Sequence, residues 1–294
     1  MAAFLFSLLA LAGAQEPRLA GGILLSFNPS SRALELRPLA GGGRAALSFA
    51  KAPEPFTGLL VRDYTVRRDG RLAVSAAGVL PGQEGTANLI LEFDSRDLSR
   101  PAAVRNTGAV ACYAIEAAGA GLWCLGPDME SLLRGGDYAI LYRFEDEKPE
   151  PARVLKRGEV PRDSGQSPWA GGAQLLGLED GGVVAWMPGV ERYAVVSGEE
   201  TRVRELPWKP RRHAVVSVAL DSQRRLHALL PLGDEEKLDT PYGLFRLAGG
   251  RWVRVGGDRS APRGARLLGV GHEAAVVVDR QLRILTIPAA APGS

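Results

Sequence analysis

The sequence predicts an all-β fold: a β-propeller of four-stranded antiparallel blades, five blades favoured and six the alternative, its ring closed by the N- and C-terminal strands. Three observations predict it. Pairs of apolar runs joined by a short turn recur along the 294 residues. Their turns centre near residues 70, 119, 181, 223 and 273, so successive turns lie 49, 62, 42 and 50 residues apart, and self-similarity at such a spacing marks a repeat architecture. Between these pairs lies a second, more polar kind of hairpin. It gives four strands per repeat that grade from apolar to charged, as stacked sheets with one wet rim require. Glycine (36) and proline (20) are spread through the chain, as many short strands joined by many turns demand.

The elements follow in chain order. MAAFLFSLLALAGAQEP opens with an apolar run over Ala2–Ala12, then Ala12-Gly13-Ala14, the small-x-small form of a signal-peptidase site. This predicts a signal peptide over residues 1–14 and a single propeller domain over 15–294. The run falls short of the roughly 20 apolar residues that a bilayer needs, so the expectation is an exported protein, secreted or periplasmic, without a membrane span. No Lys or Arg precedes the run, and a buried first strand is the other reading. GGILLSFNPSSRALELRPLAG then reads as an outer hairpin with no inner one before it, and the final inner hairpin, Arg266 to Arg280, is followed only by QLRILTIPAA, so that joining the two ends completes a blade. The span Arg44 to Phe49 and the strand Gln281 to Pro288 are the segments that keep six blades open.

Inner hairpins are expected at LLVRDYTVRRDGRLAVSA, VACYAIEAAGAGLWCLG, GAQLLGLEDGGVVAWMPG, AVVSVALDSQRRLHALLP and ARLLGVGHEAAVVVDR. Outer ones are expected at ANLILEFDSRDLSRPAAVRN, DYAILYRFEDEKPEPARVLKRG, ERYAVVSGEETRVREL and YGLFRLAGGRWVRVGG, whose last strands carry the Arg, Glu and Lys of the rim. Asp69-Gly70 and Asp180-Gly181 are read as hairpin turn chemistry rather than calcium loops, because Asp and Gly tolerate the twist of a tight turn. Trp123 and Trp186 occupy comparable places on second strands and are expected to pack between blades, while Trp252 shields the rim. Cys112 and Cys124 flank YAIEAAGAGLW. Setting them face to face centres a hairpin on residue 118, where a turn belongs, so a disulfide and a pair of buried thiols are both open.

YTVRRDGRLAVS, LGLEDGGVVAW and VALDSQRRLHAL resemble the inner strands of NHL-type and gluconolactonase-like propellers, with their strand, turn and strand. The resemblance implies the fold. For the gluconolactonase-like group it also implies a divalent metal such as Ca2+ in the axial channel, held by Glu, Asn and Asp oxygens. Of Asn28, Asn88 and Asn106, Asn106 alone precedes an expected inner strand, and the group's ligand set is not matched residue by residue.

The remaining chemistry is sparse. There are three histidines: His227 within a strand, His272 at a hairpin turn, and His213, which precedes an inner strand. No G-x-S-x-G elbow and no phosphate loop is present. The net charge of +3 comes from 36 basic and 33 acidic residues with no basic cluster interleaved with aromatics, which speaks against nucleic acid. What stands out is the asymmetry of connection lengths. The links from second to third strand and from one blade to the next are long, among them AGVLPGQEGTAN, GPDMESLLRGGD and GEVPRDSGQSPWAGG, and long loops on a rigid scaffold carry recognition. Trp169, Trp208, Arg211, Arg212, His213 and Asn106 are the candidate binding residues, since aromatics beside arginine are a common hot-spot composition. The expected function is a monomeric binding or scaffold module for a protein or an extracellular polymer, without cofactor or catalytic residues. The alternative is a metal-dependent hydrolase of the lactonase type.

Overall fold

A computed structural model describes residues 17–20, 22–49, 52, 54–82, 86–94, 96–126, 140–145, 148–154, 174–186, 192–198, 200–205, 217–233, 237, 239–271 and 274–289. They fold into antiparallel strands only, grouped in six sheets of sequential strands. The chain packs as two compact units, the first holding β1 to β16 and the second β17 to β23.

In unit 1, the first sheet is β1 (Arg18–Ala20), β2 (Ile23–Asn28), β3 (Ala33–Pro38) and β4 (Ala45–Ser48). The second is β5 (Gly58–Val66), β6 (Leu72–Val79), β7 (Thr86–Phe93) and β8 (Ala103–Gly108). The third is β9 (Ala114–Ala118), β10 (Gly121–Gly126), β11 (Ile140–Glu145) and β12 (Lys148–Val154). The fourth is β13 (Gln174–Gly177), β14 (Val183–Trp186), β15 (Arg192–Ser197) and β16 (Glu200–Glu205). Unit 2 holds β17 (Ser217–Leu220), β18 (Leu226–Pro231), β19 (Tyr242–Ala248) and β20 (Arg251–Val255), then a three-stranded sheet of β21 (Arg266–Val270), β22 (Ala274–Val278) and β23 (Ile284–Pro288).

The expected hairpins are therefore present, each as a meander of neighbours. β10 and β14 are buried along their whole length and β6 along nearly all of it, whereas β8, β16 and β20 are mostly exposed. Strands covered on both faces need near-continuous apolar sequence, and rim strands do not. First strands meet first strands: β1 lies against β5, β5 against β9 and β9 against β13 in unit 1, and β17 against β21 in unit 2. This is the strand organisation of a β-propeller, and its blades number six rather than the favoured five. The segment read as a lone outer hairpin is the middle hairpin of a complete sheet. The short β1 precedes it and β4, in the span Arg44 to Phe49, follows it. The first and last of the described strands, β1 and β23, consequently belong to different sheets.

The core forms between sheet faces. Leu25, Leu34, Leu47 and Phe49 of the first sheet and its flank pack with Leu59, Tyr64, Leu72, Val74, Leu89 and Phe93 of the second. Ala73 and Ile90 of the second pack with Ile115, Leu122, Cys124, Tyr142 and Phe144 of the third. In unit 2, Leu229, Leu244 and Val255 meet Leu267, Val277 and Ile287. Each such Leu or Ile contributes about 1.5–3 kcal/mol by leaving water.

The turns share one design. In Arg67–Arg71, Leu178–Gly182, Asp221–Arg225 and Asp279–Arg283 the first residue's N–H donates to the fifth residue's carbonyl, and the fourth donates back to the first. That fourth residue is left-handed in every case: Gly70 (φ 84°), Gly181 (φ 84°), Arg224 (φ 60°) and Leu282 (φ 59°). Glycine takes this conformation without penalty. At Arg224 and Leu282 the turn-opening Asp offsets it, its Oδ1 accepting two backbone N–H groups and its Oδ2 the guanidinium of the Arg four residues on.

Cys112 and Cys124 form a disulfide with Cα atoms 5.3 Å apart, but not as directly opposed residues. The hairpin turns at Gly119-Ala120, and Cys124 sits opposite Ile115. Cys112 lies before β9, where Tyr113 N–H donates to Leu125 O, and it meets Cys124 on a diagonal. Trp123 and Trp186 are buried on second strands as expected. The Trp123 Nε1–H donates to Gly181 O of the fourth sheet at 2.8 Å, tying two sheets together. Trp123→Phe is expected to lower stability by about 1–2 kcal/mol through that lost bond and lost area, read as an earlier urea midpoint.

Candidate functional site

An isolated charge in an apolar inner strand is conspicuous, because ionised groups enter such strands only when paired. Three first strands of unit 1, β1, β5 and β9, bring such groups together, and a fourth, β13, closes on them. Arg18 of β1 donates from Nη2 to Asp63 Oδ2 of β5 at 2.7 Å and from Nη1 to the Ile115 carbonyl of β9 at 2.7 Å. Its Nη1 also lies 3.5 Å from Glu116 Oε2 of β9. Thr65 of β5 donates to the same oxygen at 3.4 Å, and Asp63 Oδ2 accepts the Ile115 N–H at 2.7 Å.

Geometry of the strands explains these contacts. First strands of adjacent sheets are neighbours without a hydrogen-bonded ladder between them, so their buried N–H and C=O groups need side-chain partners. Asp63 supplies one for Ile115. In unit 2 Ser217 does the same for Leu267, its Oγ accepting the Leu267 N–H at 2.8 Å and donating to the carbonyl at 3.3 Å. On the β13 side, Gly177 is required by close approach. A Cβ there would lie 2.9 Å from Ala117 O and 3.3 Å from Glu116 Oε1, and without one the Gly177 N–H donates to the Glu116 carboxylate.

Glu116 is the hub of the cluster. Desolvation pushes its carboxyl up from 4.5 to about 7, with Arg18 opposing the shift, Asp63 adding to it, and the Gly177 and Thr65 hydrogen bonds opposing it. Its side chain is still 23 % exposed and that of Arg18 18 %, so the cluster is reachable by water. The second charged group, in unit 2, is Asp221 with Arg225 at 2.7 Å and His227 Nε2 at 3.9 Å. Burial lowers the His227 pKa against the hydrogen bond at Arg225 O and the charge of Asp221, leaving a neutral core histidine at neutral pH. Burial also works against the Asp221 charge, but the Arg225 hydrogen bonds, His227 once acid has protonated it, and the Arg225 charge hold its pKa below the usual range.

Of the residues nominated from sequence, Trp169, Trp208, Arg211, Arg212 and His213 lie outside the described residues. Asn106 is exposed on β8, the outermost strand of its sheet, where its Oδ1 accepts the Gly108 N–H. Arg18, Asp63 and Glu116 were missed. Their signal was present: an adjacent Arg-Asp pair inside LLVRDYTV, a lone Glu inside CYAIEAA and an Arg at the edge of RLA.

The metal implied by the gluconolactonase-like resemblance does not fit these residues. Asp63 and Glu116 are bridged by the guanidinium of Arg18, which stands where a cation would draw both carboxylates. Asn28 Oδ1 accepts the Ser30 and Ser31 N–H groups of its own turn, and Asn88 is committed to Arg62 and Gly108. Among the described residues no group of three or more His, Cys, Asp and Glu side chains is placed to hold a metal.

No protein-family model matches the chain, and no curated protein matches it. Solved structures do. A streptogramin B lyase is 9% identical with a TM-score of 0.47, covering 96% of this chain and 84% of its own. A luciferin-regenerating enzyme is 12% identical with a TM-score of 0.51, covering 92% of this chain and 85% of its own. At such identities a likeness speaks to fold alone, and of these two the luciferin-regenerating enzyme, at a TM-score of 0.51, agrees with the β-propeller architecture that the sheets and their order define.

Proposed function

We propose that the protein is an exported, single-domain propeller that works as a monomeric binding or scaffold module for a protein or extracellular polymer, rather than as an enzyme. One observation carries the reading. The acidic groups on the inner strands are neutralised internally by Arg18 and by backbone N–H groups, so they brace the sheets instead of presenting a reactive centre. The Cys112–Cys124 disulfide supports an oxidising compartment. Among the described residues no helix is long and apolar enough to cross a membrane. Recognition falls to the long-loop face, with Trp169, Trp208, Arg211, Arg212 and His213 as its anchors.

The test is metal analysis of the purified protein, with melting followed before and after chelation. The expected result is less than a tenth of an equivalent of any divalent ion and an unchanged melting temperature. One tightly held ion per chain, lost with a fall in melting temperature, would instead establish the metal-dependent hydrolase reading.

A further inference from the structure

Asp63, Glu92, Asp221 and Asp279 are buried charges, and each has an arginine nitrogen within 2.7 Å. Arg62 is different. It is only 4 % exposed, yet no carboxylate pairs with it among the described residues and its Nε has no acceptor there. Its one hydrogen bond runs from Nη1 to Asn88 Oδ1 at 2.8 Å, and its guanidinium carbon lies 5.1 Å from the centre of the Tyr113 ring. A buried, uncompensated cation is strongly unfavourable, and desolvation holds this guanidinium below its usual pKa.

The surroundings are built around it. Arg62 is the extra residue of a β-bulge, the register of β5 against β6 shifting between Val61 and Asp63. A second bulge, between β7 and β8, falls at Asn88, and bulges of this kind re-aim side chains next to binding sites. The Asn88 amide is locked by donating from Nδ2 to Gly108 O at 2.8 Å, which turns its oxygen to Arg62. Gly108 and Asn106 beside it are exposed, at the end of the sheet from which the β6–β7 and β8–β9 connections leave.

We propose that Arg62 anchors an anion site for a small organic carboxylate, with Asn88 and Tyr113 fixing the guanidinium and its Nε–Nη2 edge as the donor fork. Aromatic contact uses the face of a guanidinium and carboxylate pairing uses its edge, so the two are compatible. A planar monoanion matches both the fork and the single charge, whereas a phosphate dianion would bury an excess negative charge. The site stands whether or not the protein recognises a macromolecular partner.

The experiment is a titration of the intact protein with sodium acetate, sodium chloride being withdrawn to keep ionic strength constant. Melting temperature and the side-chain Nε–H resonance of Arg62, assigned by its loss in R62K, are followed together. A saturable rise in melting temperature, the resonance shifting on the same curve, and at least a tenfold loss of affinity in R62M are expected. Should R62M not fold, R62K and the wild-type resonance decide. Acetate acting no better than chloride, an unmoved resonance, an equal response in R62M, or inorganic phosphate binding more tightly than acetate would each overturn the proposal.

Discussion

Wild-type protein is expected to lose about 2–3 kcal/mol of stability between pH 5 and pH 8, and Glu116→Gln to abolish most of that loss. In the folded state the Glu116 carboxyl titrates at about 7, against 4.5 ordinarily. Between those values the native protein holds a proton that the unfolded chain has released. Stability contributed by this group is therefore complete below about pH 4.5, falls as pH rises through 7, and is flat above it. A displacement of this size corresponds to roughly 3 kcal/mol, trimmed somewhat by the residual solvent contact of the side chain. Gln cannot ionise but still accepts from Gly177 and Thr65, so the variant should match wild type at pH 5 and exceed it by about 2 kcal/mol at pH 8. Denaturant unfolding at both pH values measures the difference, and parallel profiles for the two proteins would disprove the assignment. Asp221 and Asp279 act in the opposite direction and in another window. Their folded pKa values are lowered, so their contribution is present above about pH 4 and lost in stronger acid.

Reduction of the disulfide should cost about 3 kcal/mol. The bond closes a loop of sequence separation 12, and chain-entropy reasoning assigns a loop of that size roughly that much. Both sulfurs are buried in the core between the second and third sheets, so the double variant Cys112→Ala, Cys124→Ala removes packing as well as the link and should fall slightly further. The measurement is the denaturant midpoint of oxidised, reduced and double-variant protein at one pH. Equal midpoints for all three would mean the cross-link does not constrain the unfolded chain.

The hairpins were legible because their signals are local. An Asp-Gly pair between apolar runs specifies a turn within five residues, and at Arg67–Arg71 and Leu178–Gly182 it does so. Asp221–Arg225 was found for the same reason, though its left-handed residue is Arg224 rather than glycine. The first sheet was under-read because β1 is three residues long, RLA, too short for any alternation of apolar and polar residues to show. Its absence from the reading made the β2–β3 hairpin look unaccompanied and brought the blade number down to five. The direct opposition of Cys112 and Cys124 failed because the hairpin turns at Gly119-Ala120 instead of centring on residue 118, and an irregular step near Tyr113 then brings Cys112 back within reach of Cys124. The charged cluster was illegible for another reason. Arg18 and Glu116 stand 98 positions apart, and a single sequence marks each as an oddity without saying that they meet.

That separation carries a consequence for biosynthesis. Arg18 leaves the ribosome well ahead of its partners, for the Ile115 carbonyl and Glu116 carboxylate it grips are 97 and 98 positions behind it. At translation rates of about 5–20 residues per second, Arg18 waits on the order of 5–20 seconds before the third sheet supplies these anchors. During that interval Asp63 is the cluster carboxylate already made, so the N-terminal half is secured in two steps, the later one timed by elongation.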